Sequence, residues 1–107
     1  MDIKQLQQEA HQNALLKGWW DEERSIPELL ILIHSEVSEA LEDYRNNKMF
    51  VFFEEGGEPT GFPVELADII IRIADLAEKM NIDLAEVIKT KMEHNKKRPY
   101  RHGGKLI

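Results

Sequence analysis

Apolar residues recur at helical spacing in the first half of the chain, in two segments separated by a short loop. The first segment predicts a helix from residue 2 to residue 17, and Gly18 ends it. Ser25 and Glu28 have the spacing of a capping box, with a proline in the first turn. A second helix is therefore predicted to begin there and to run to about Asn46.

Two further helical segments follow. Pro63 opens a third predicted helix, which reaches about Met80, and Asp83 and Glu86 repeat the capping pattern for a fourth helix that Pro99 ends. Strands and helices do not alternate along the chain, so a parallel sheet is not expected. We predict an all-α fold, an antiparallel four-helix bundle-like domain.

Two segments depart from the helical pattern. Residues 49–62 start with Met-Phe-Val-Phe-Phe and continue with Glu-Glu-Gly-Gly-Glu-Pro, which is typical of a turn. A short strand, a hairpin arm and an ordered loop all fit this segment. The tail after residue 99 is expected to be extended. Residues 1–107 are predicted to form a single domain.

Composition narrows the range of functions. The chain has 107 residues, of which 42% are hydrophobic, so a core can form but a chain this short gains stability from oligomerisation. The formal net charge of −6 disfavours broad binding to nucleic acid polymers. The absence of cysteine excludes disulfides, thiolate metal sites and cysteine nucleophiles.

The chain has no stretch of about 18 apolar residues, which a membrane-spanning helix requires. Its first residues, Met1-Asp2-Ile3-Lys4, lack the pattern of a signal peptide. We therefore expect no membrane partner and a cytoplasmic location.

Two acidic pairs are the most informative chemical feature, Glu36-Val-Ser-Glu39 on helix two and Glu65-Leu-Ala-Asp68 on helix three. Spacing of i,i+3 places both carboxylates of a pair on one helix face. Several ionised carboxylates packed together are unfavourable without a cation. If the two pairs converge, they form an oxygen-rich pocket that suits a hard divalent cation, Mg²⁺ or Mn²⁺.

Helix three carries a narrow charged stripe at alternating spacings of three and four. A solvated face with favourable i,i+3 and i,i+4 pairs is one interpretation. The apolar residues Val64 and Ile71 on its flanks favour a partly buried stripe instead. The charged residues are Glu65, Asp68, Arg72, Asp75 and Lys79.

Helix four supplies the opposite charge. Lys91, Asn95 and Arg98 fall on one side, at the end of a stripe that begins apolar. They could hold an anion near the end of the bundle, or simply complement the helix macrodipole.

Aromatic residues offer a further candidate. Trp19 and Trp20 follow Gly18 in a loop, where either could fill the core or stack on a nucleobase. His11 has no second histidine at metal-ligand spacing, so the spacing alone favours a helix-surface or core-edge position.

Taken together, these residues resemble the MazG-like, all-α nucleotide pyrophosphohydrolase superfamily. The signature of that superfamily is Glu-Glu-x-x-Glu followed after a gap by Glu-x-x-Asp, and residues 35–39 and 65–68 align with it. Lys91-x-x-x-Asn95-x-x-Arg98 matches the usual ending of the family. The resemblance extends from helix one to Arg98.

The resemblance implies Mg²⁺-dependent hydrolysis of nucleoside or deoxynucleoside triphosphates to monophosphate and pyrophosphate, as in house-cleaning of the nucleotide pool. It implies a homodimer or homotetramer of antiparallel helices. The metal ligands and catalytic residues would be Glu36, Glu39, Glu65 and Asp68. The triphosphate contacts would be Lys91, Asn95 and Arg98. His11 and Trp20 keep a spacing similar to that of base-pocket residues in the dCTP-preferring branch.

One position departs from the signature, since Ser35 stands where the family has its first glutamate. If that glutamate activates water, another group must do so here, and Glu42 and Asp43 lie within helical reach. Three alternatives stay open: a phosphoribosyl-ATP pyrophosphohydrolase that uses the same acids, a nucleotide-binding protein without turnover, and a helical dimerisation module with solvated charges.

Overall fold

The computed structural model describes residues 1–107 and is mostly helical. Two short strands pair as an antiparallel hairpin between the second and third helices. The elements in chain order are α1 (Ile3–Leu16), α2 (Ile26–Arg45), β1 (Phe52–Phe53), β2 (Pro59–Thr60), α3 (Phe62–Lys79), α4 (Leu84–Lys96) and α5 (Arg101–Gly104). The prediction of an all-α class is confirmed, and no helix combines the length and the apolar character that crossing a lipid bilayer requires.

Side-chain caps explain why α1, α2 and α4 begin where the sequence predicts. The Asp2 carboxylate accepts from the backbone N–H of Gln5, and the Gln5 side chain accepts from the Asp2 backbone, which completes a capping box. Ser25 caps α2 and Asp83 caps α4 in the same way, each by accepting a backbone N–H three residues on. These caps satisfy backbone donors that a helix leaves unpaired at its first turn.

The segment between α2 and α3 is a hairpin. Phe52 pairs with Thr60 and Phe53 with Pro59. The backbone N–H of Phe62 donates to the carbonyl of Lys48 at 2.8 Å, which closes the base of the hairpin. The hairpin thus brings the end of α2 back to the start of α3.

The tail differs from the extended form that the sequence predicts. Residues 101–104 make a single helical turn, closed by a bond of 2.9 Å from the Lys105 N–H to the Arg101 carbonyl. All four residues have positive φ, from 51° at Arg101 and His102 to 97° at Gly103. The two consecutive glycines accommodate half of this left-handed turn at little cost, and periodicity does not reveal it.

Helix α3 is central, because both α1 and α2 pack against it, whereas α4 packs on α1. Gln7 of α1 joins three elements and is only 3% exposed. Its amide nitrogen donates to the Ile82 carbonyl at 2.8 Å and to Glu78 at 3.3 Å, and its amide oxygen accepts from the Leu84 N–H at 3.1 Å. This network fixes α1 against the turn between α3 and α4.

The isolated chain buries little of its apolar surface. Only 8 of 107 residues are buried, and no large side chain is fully enclosed. The radius of gyration is 16.5 Å, against about 13 Å for a compact domain of about 100 residues. Large apolar side chains on α2, α3 and the hairpin are about half exposed or more, including Leu30, Val37, Leu41, Phe53 and Ile70.

Replacing Gly61 with alanine is expected to destabilise the fold by about 3 kcal/mol or more. Gly61 has a φ of +118°, and a Cβ there would lie 2.1 Å from the carbonyl oxygen of Phe50. Gly57→Ala is the matched control, since its φ of +86° is also positive but no atom lies within 4 Å of the added carbon. Urea unfolding followed by circular dichroism measures both, and equal losses would contradict the steric argument.

Candidate metal site

Helices α2 and α3 bring three of the four predicted metal ligands into one group. One carboxylate oxygen from each of Glu36, Glu65 and Asp68 lies within 4.8 Å of the other two. The i,i+3 spacing on α3 turns Glu65 and Asp68 to the side that packs on α2. Glu39 lies outside this closest group, but its carboxyl is near enough to Glu36 and Glu65 for both to affect its pKa.

Two oxygens of this group have no conventional partner. Glu36 is 7% exposed, and its Oε2 atom and the Oε2 atom of Glu65 are buried without a donor. Carboxylate oxygens only accept hydrogen bonds when ionised. A proton shared between neighbouring carboxylates, or a cation, must therefore occupy the space between them.

The pKa values of three carboxyls reflect this crowding. Desolvation, followed by hydrogen bonds to Glu39 and Glu36, raises the pKa of Glu65 from 4.5 to about 8. The hydrogen bond to Glu36 is the main cause of a raised pKa at Glu39. Desolvation and the Glu36 charge raise the pKa of Asp68, against the opposing effect of Arg72. The acidic group as a whole therefore keeps a proton to higher pH than an isolated carboxyl would when no cation is bound.

The charged stripe on α3 is engaged with other elements rather than solvated. Nε of Arg72 donates to Oε1 of Glu36 at 2.9 Å, so a single guanidinium joins α3 to the acidic group of α2. One turn further along α3, Oδ1 of Asp75 lies 2.8 Å from Nδ1 of His11 and accepts from Nε1 of Trp20 at 2.9 Å. The interpretation of the stripe as a freely solvated face is therefore wrong.

His11 and Trp20 are held together by this carboxylate. Their rings meet edge to face with centroids 5.7 Å apart, and the Lys79 ammonium lies 5.3 Å from the Trp20 ring. Because a carboxylate oxygen accepts, Nδ1 of His11 carries the proton in this contact. The two residues that the resemblance pairs as base contacts are adjacent in space, beside Asp75.

A cleft of about 270 Å³ opens beside the acidic group. Arg24 and Arg72 line this cleft, and the sequence did not predict either as a site residue. The tryptophan that lines it is Trp19, not Trp20. Adjacent loop residues carry no periodicity that distinguishes Trp19 from Trp20. The polar and aromatic lining residues are Asn13, Trp19, Arg24, Glu36, Asp68, Arg72 and Asp75.

The predicted triphosphate contacts, on α4 and just after its end, do not line the cleft beside the acids within one chain. Lys91 and Asn95 are exposed and Arg98 is half-buried. None of the three forms a side-chain hydrogen bond or ion pair, since the ion pairs of the chain are His11–Asp75, Arg45–Glu42 and Arg72–Glu36.

The substitutes for the glutamate missing at Ser35 differ in their surroundings. The Ser35 hydroxyl donates to the Leu32 carbonyl of its own helix at 2.6 Å, so its proton is already used. Glu42 is exposed and bonds to Arg45 and Asn46. Asp43 is half-buried, and its Oδ2 atom is a third buried carboxylate oxygen without a donor.

Comparison of the chain with protein-family models, with curated proteins and with solved structures found no match.

We expect the stability of the metal-free protein to fall as pH rises from about 4.5 to about 8. The pKa of Glu65 is raised in the folded state, so over this interval the folded chain binds more protons than the unfolded chain, and raising the pH favours unfolding. Glu65→Gln, which cannot ionise, should flatten the profile. Urea unfolding in chelator at a series of pH values measures both proteins.

Added Mg²⁺ should stabilise the wild-type protein more at pH 8 than at pH 5, because a cation replaces the proton. A wild-type profile parallel to that of Glu65→Gln would contradict the shared-proton arrangement.

Proposed function

We propose that this protein is a MazG-like nucleoside triphosphate pyrophosphohydrolase. It would hydrolyse nucleoside or deoxynucleoside triphosphates to monophosphate and pyrophosphate with Mg²⁺, and Mn²⁺ is a second candidate ion. The observation that carries the proposal is the convergence of Glu36, Glu65 and Asp68, with two buried oxygens that lack donors. These residues are also the ones that the family signature selects.

The donor set fits a hard divalent cation. All nearby ligand atoms are carboxylate oxygens, which Mg²⁺ and Mn²⁺ prefer, and the chain offers no thiolate. The histidine nearest the cleft, His11, is already bonded to Asp75. A divalent cation held there would offset the charge of the phosphates and polarise the phosphorus that water attacks.

The side chains around the acids suit a polyphosphate. The carboxylates would hold the cation, while Arg72 offsets negative charge on the same face of α3. Lys91 and Asn95 on α4 and Arg98 just after it form no ion pair within the chain, which leaves them as proposed triphosphate contacts. Because these lie apart from the acids in one chain, they would reach the substrate by closure or from a second subunit.

A second copy would also cover the exposed apolar surface. The stripe on α2 formed by Leu30, Val37, Leu41 and Tyr44 follows helical spacing, and each of these residues is about half exposed. Leu66, Ile70 and Ile73 form a similar stripe on α3. We propose that α2 and α3 pair with their copies in a four-helix arrangement, as a homodimer or a dimer of dimers.

Light scattering coupled to size exclusion is expected to give a mass of two or four chains. Val37→Glu together with Leu41→Glu should shift the protein to monomer and lower its unfolding temperature, because charges cannot be buried unpaired in such an interface. Leu16→Glu, at a residue that is 76% exposed on α1, is the control and should leave the mass unchanged. A monomeric wild-type protein would refute the arrangement.

The decisive assay is pyrophosphate release from all common NTPs and dNTPs with Mg²⁺ or Mn²⁺. We expect pyrophosphate rather than orthophosphate, and Asp68→Asn should lower kcat/KM by about 100-fold or more through loss of a metal ligand. Glu9→Gln is the control, because Glu9 is an exposed carboxylate on α1 that neither belongs to the acidic group nor lines the cleft. Full turnover in Asp68→Asn would remove the metal-site assignment.

One observation favours a second candidate, a nucleotide-binding protein with weak turnover. The Ser35 hydroxyl is bonded within its own helix, so the position has no free base. This candidate predicts tight binding of Mg²⁺ and nucleotide by calorimetry without pyrophosphate release. Phosphoribosyl-ATP in the same assay tests the alternative substrate.

A further inference from the structure

The two adjacent tryptophans have contrasting environments. Trp20 is half-buried, its indole N–H donates to Asp75, and it lines a separate cavity with Leu29 and Leu76. Trp19 is 61% exposed and its indole N–H has no hydrogen bond within the chain. The guanidinium of Arg24 lies over its ring, 5.7 Å from the ring centre. Contacts within one chain therefore explain the position of the Trp20 side chain, but they do not explain why the large Trp19 side chain is exposed.

The position of Trp19 is fixed by the backbone. Its N–H donates to the Ala14 carbonyl at 3.1 Å, and the Asp21 N–H donates to the Gly18 carbonyl at 3.2 Å. Gly18, with a φ of +84°, allows the turn that ends α1 and presents the indole. The large aromatic surface is thus presented by an ordered turn beside the acidic group.

Arg24 is a matching feature. It is half-buried but has no carboxylate partner, since none of the ion pairs of the chain includes it. A partly desolvated, planar guanidinium without a partner favours an oxyanion such as a phosphate, whose oxygens it can bind in a bidentate manner. It lines the same cleft as Trp19, Glu36 and Asp68.

The cleft brings together three kinds of side chain, each suited to a different part of a metal-bound nucleotide. It has carboxylates for a cation, guanidinium groups for phosphate, and an exposed indole for a base. Its volume of about 270 Å³ is close to the lower end of ligand pockets, about 300 Å³. Stacking on an indole is tolerant of base identity, because every base has a π-face.

We propose that Trp19 is the stacking platform for the base of the nucleotide and that Arg24 contacts its phosphates. Trp20 and His11, tied to Asp75, then support the wall of the cleft. This assignment rests on the proposed function, because it takes the cleft as the place where a nucleoside triphosphate binds.

The test is calorimetry with Mg²⁺ and two probes, the α,β-methylene analogues of the common nucleoside triphosphates and inorganic tripolyphosphate, which has no base. Trp19→Ala should weaken binding of the best analogue by about tenfold or more, by the magnitude typical of base–aromatic stacking. It should leave tripolyphosphate binding within twofold. Trp19→Phe should recover part of the loss. Arg24→Gln should weaken both probes.

Tyr100 and Arg101 give a matched control. Tyr100 is 84% exposed, with the Arg101 guanidinium 5.9 Å from its ring, but neither residue lines the cleft. Tyr100→Ala and Arg101→Gln should leave both affinities unchanged. Thermal unfolding of each variant checks that the fold is retained.

Three results would overturn the proposal: equal loss of both probes in Trp19→Ala, an unchanged analogue affinity in Trp19→Ala alongside a loss in Trp20→Phe, or no binding of either probe by the wild-type protein. If the analogues bind as expected but substrates release no pyrophosphate, the proposed activity fails while the stacking assignment stands.

Discussion

Crowding of like charges between α2 and α3 is the constraint on which the rest of the structure depends. The packing of these helices presses Glu36, Glu65 and Asp68 together, and a single guanidinium, that of Arg72, balances them. Two buried oxygens are left that need a proton or a cation. The contact between the helices and the occupancy of the site are therefore one coupled equilibrium, and the elevated pKa of Glu65 is its signature.

The sequence predicts the helices well because their ends are local chemistry. The side chains of Ser25 and Asp83 cap the first turns of α2 and α4. Each cap bonds to the backbone three residues on, so a helix start can be predicted without any distant residue. The hairpin at residues 49–62 could not be chosen over a loop, because it depends on a bond from Phe62 to Lys48 and on the backbone of Gly61. These are contacts between segments, which periodicity does not report.

The candidate metal site shows the same difference between features set by local spacing and features set by contacts between segments. The acidic residues were predicted from i,i+3 spacing, which fixes the helix face they share. The pairing of Arg72 with Glu36 and the choice of Trp19 as the cleft wall required the packing of three elements. Lys91 on α4 carries the positive charge that a triphosphate contact needs, but charge alone does not predict whether its side chain lies near the acidic group.

Gln7 illustrates how narrowly a position outside the site can be defined. Its amide nitrogen donates hydrogen bonds to the Ile82 carbonyl and to Glu78, and its amide oxygen accepts one from the Leu84 N–H. Glutamate would set a negative charge against a carbonyl and a carboxylate, leucine would leave all three groups unpaired, and asparagine is one methylene too short. A substitution there would misplace α4 without altering any residue of the acidic group. A functional defect in a Gln7 variant would therefore reflect the arrangement of the helices rather than the chemistry of the site.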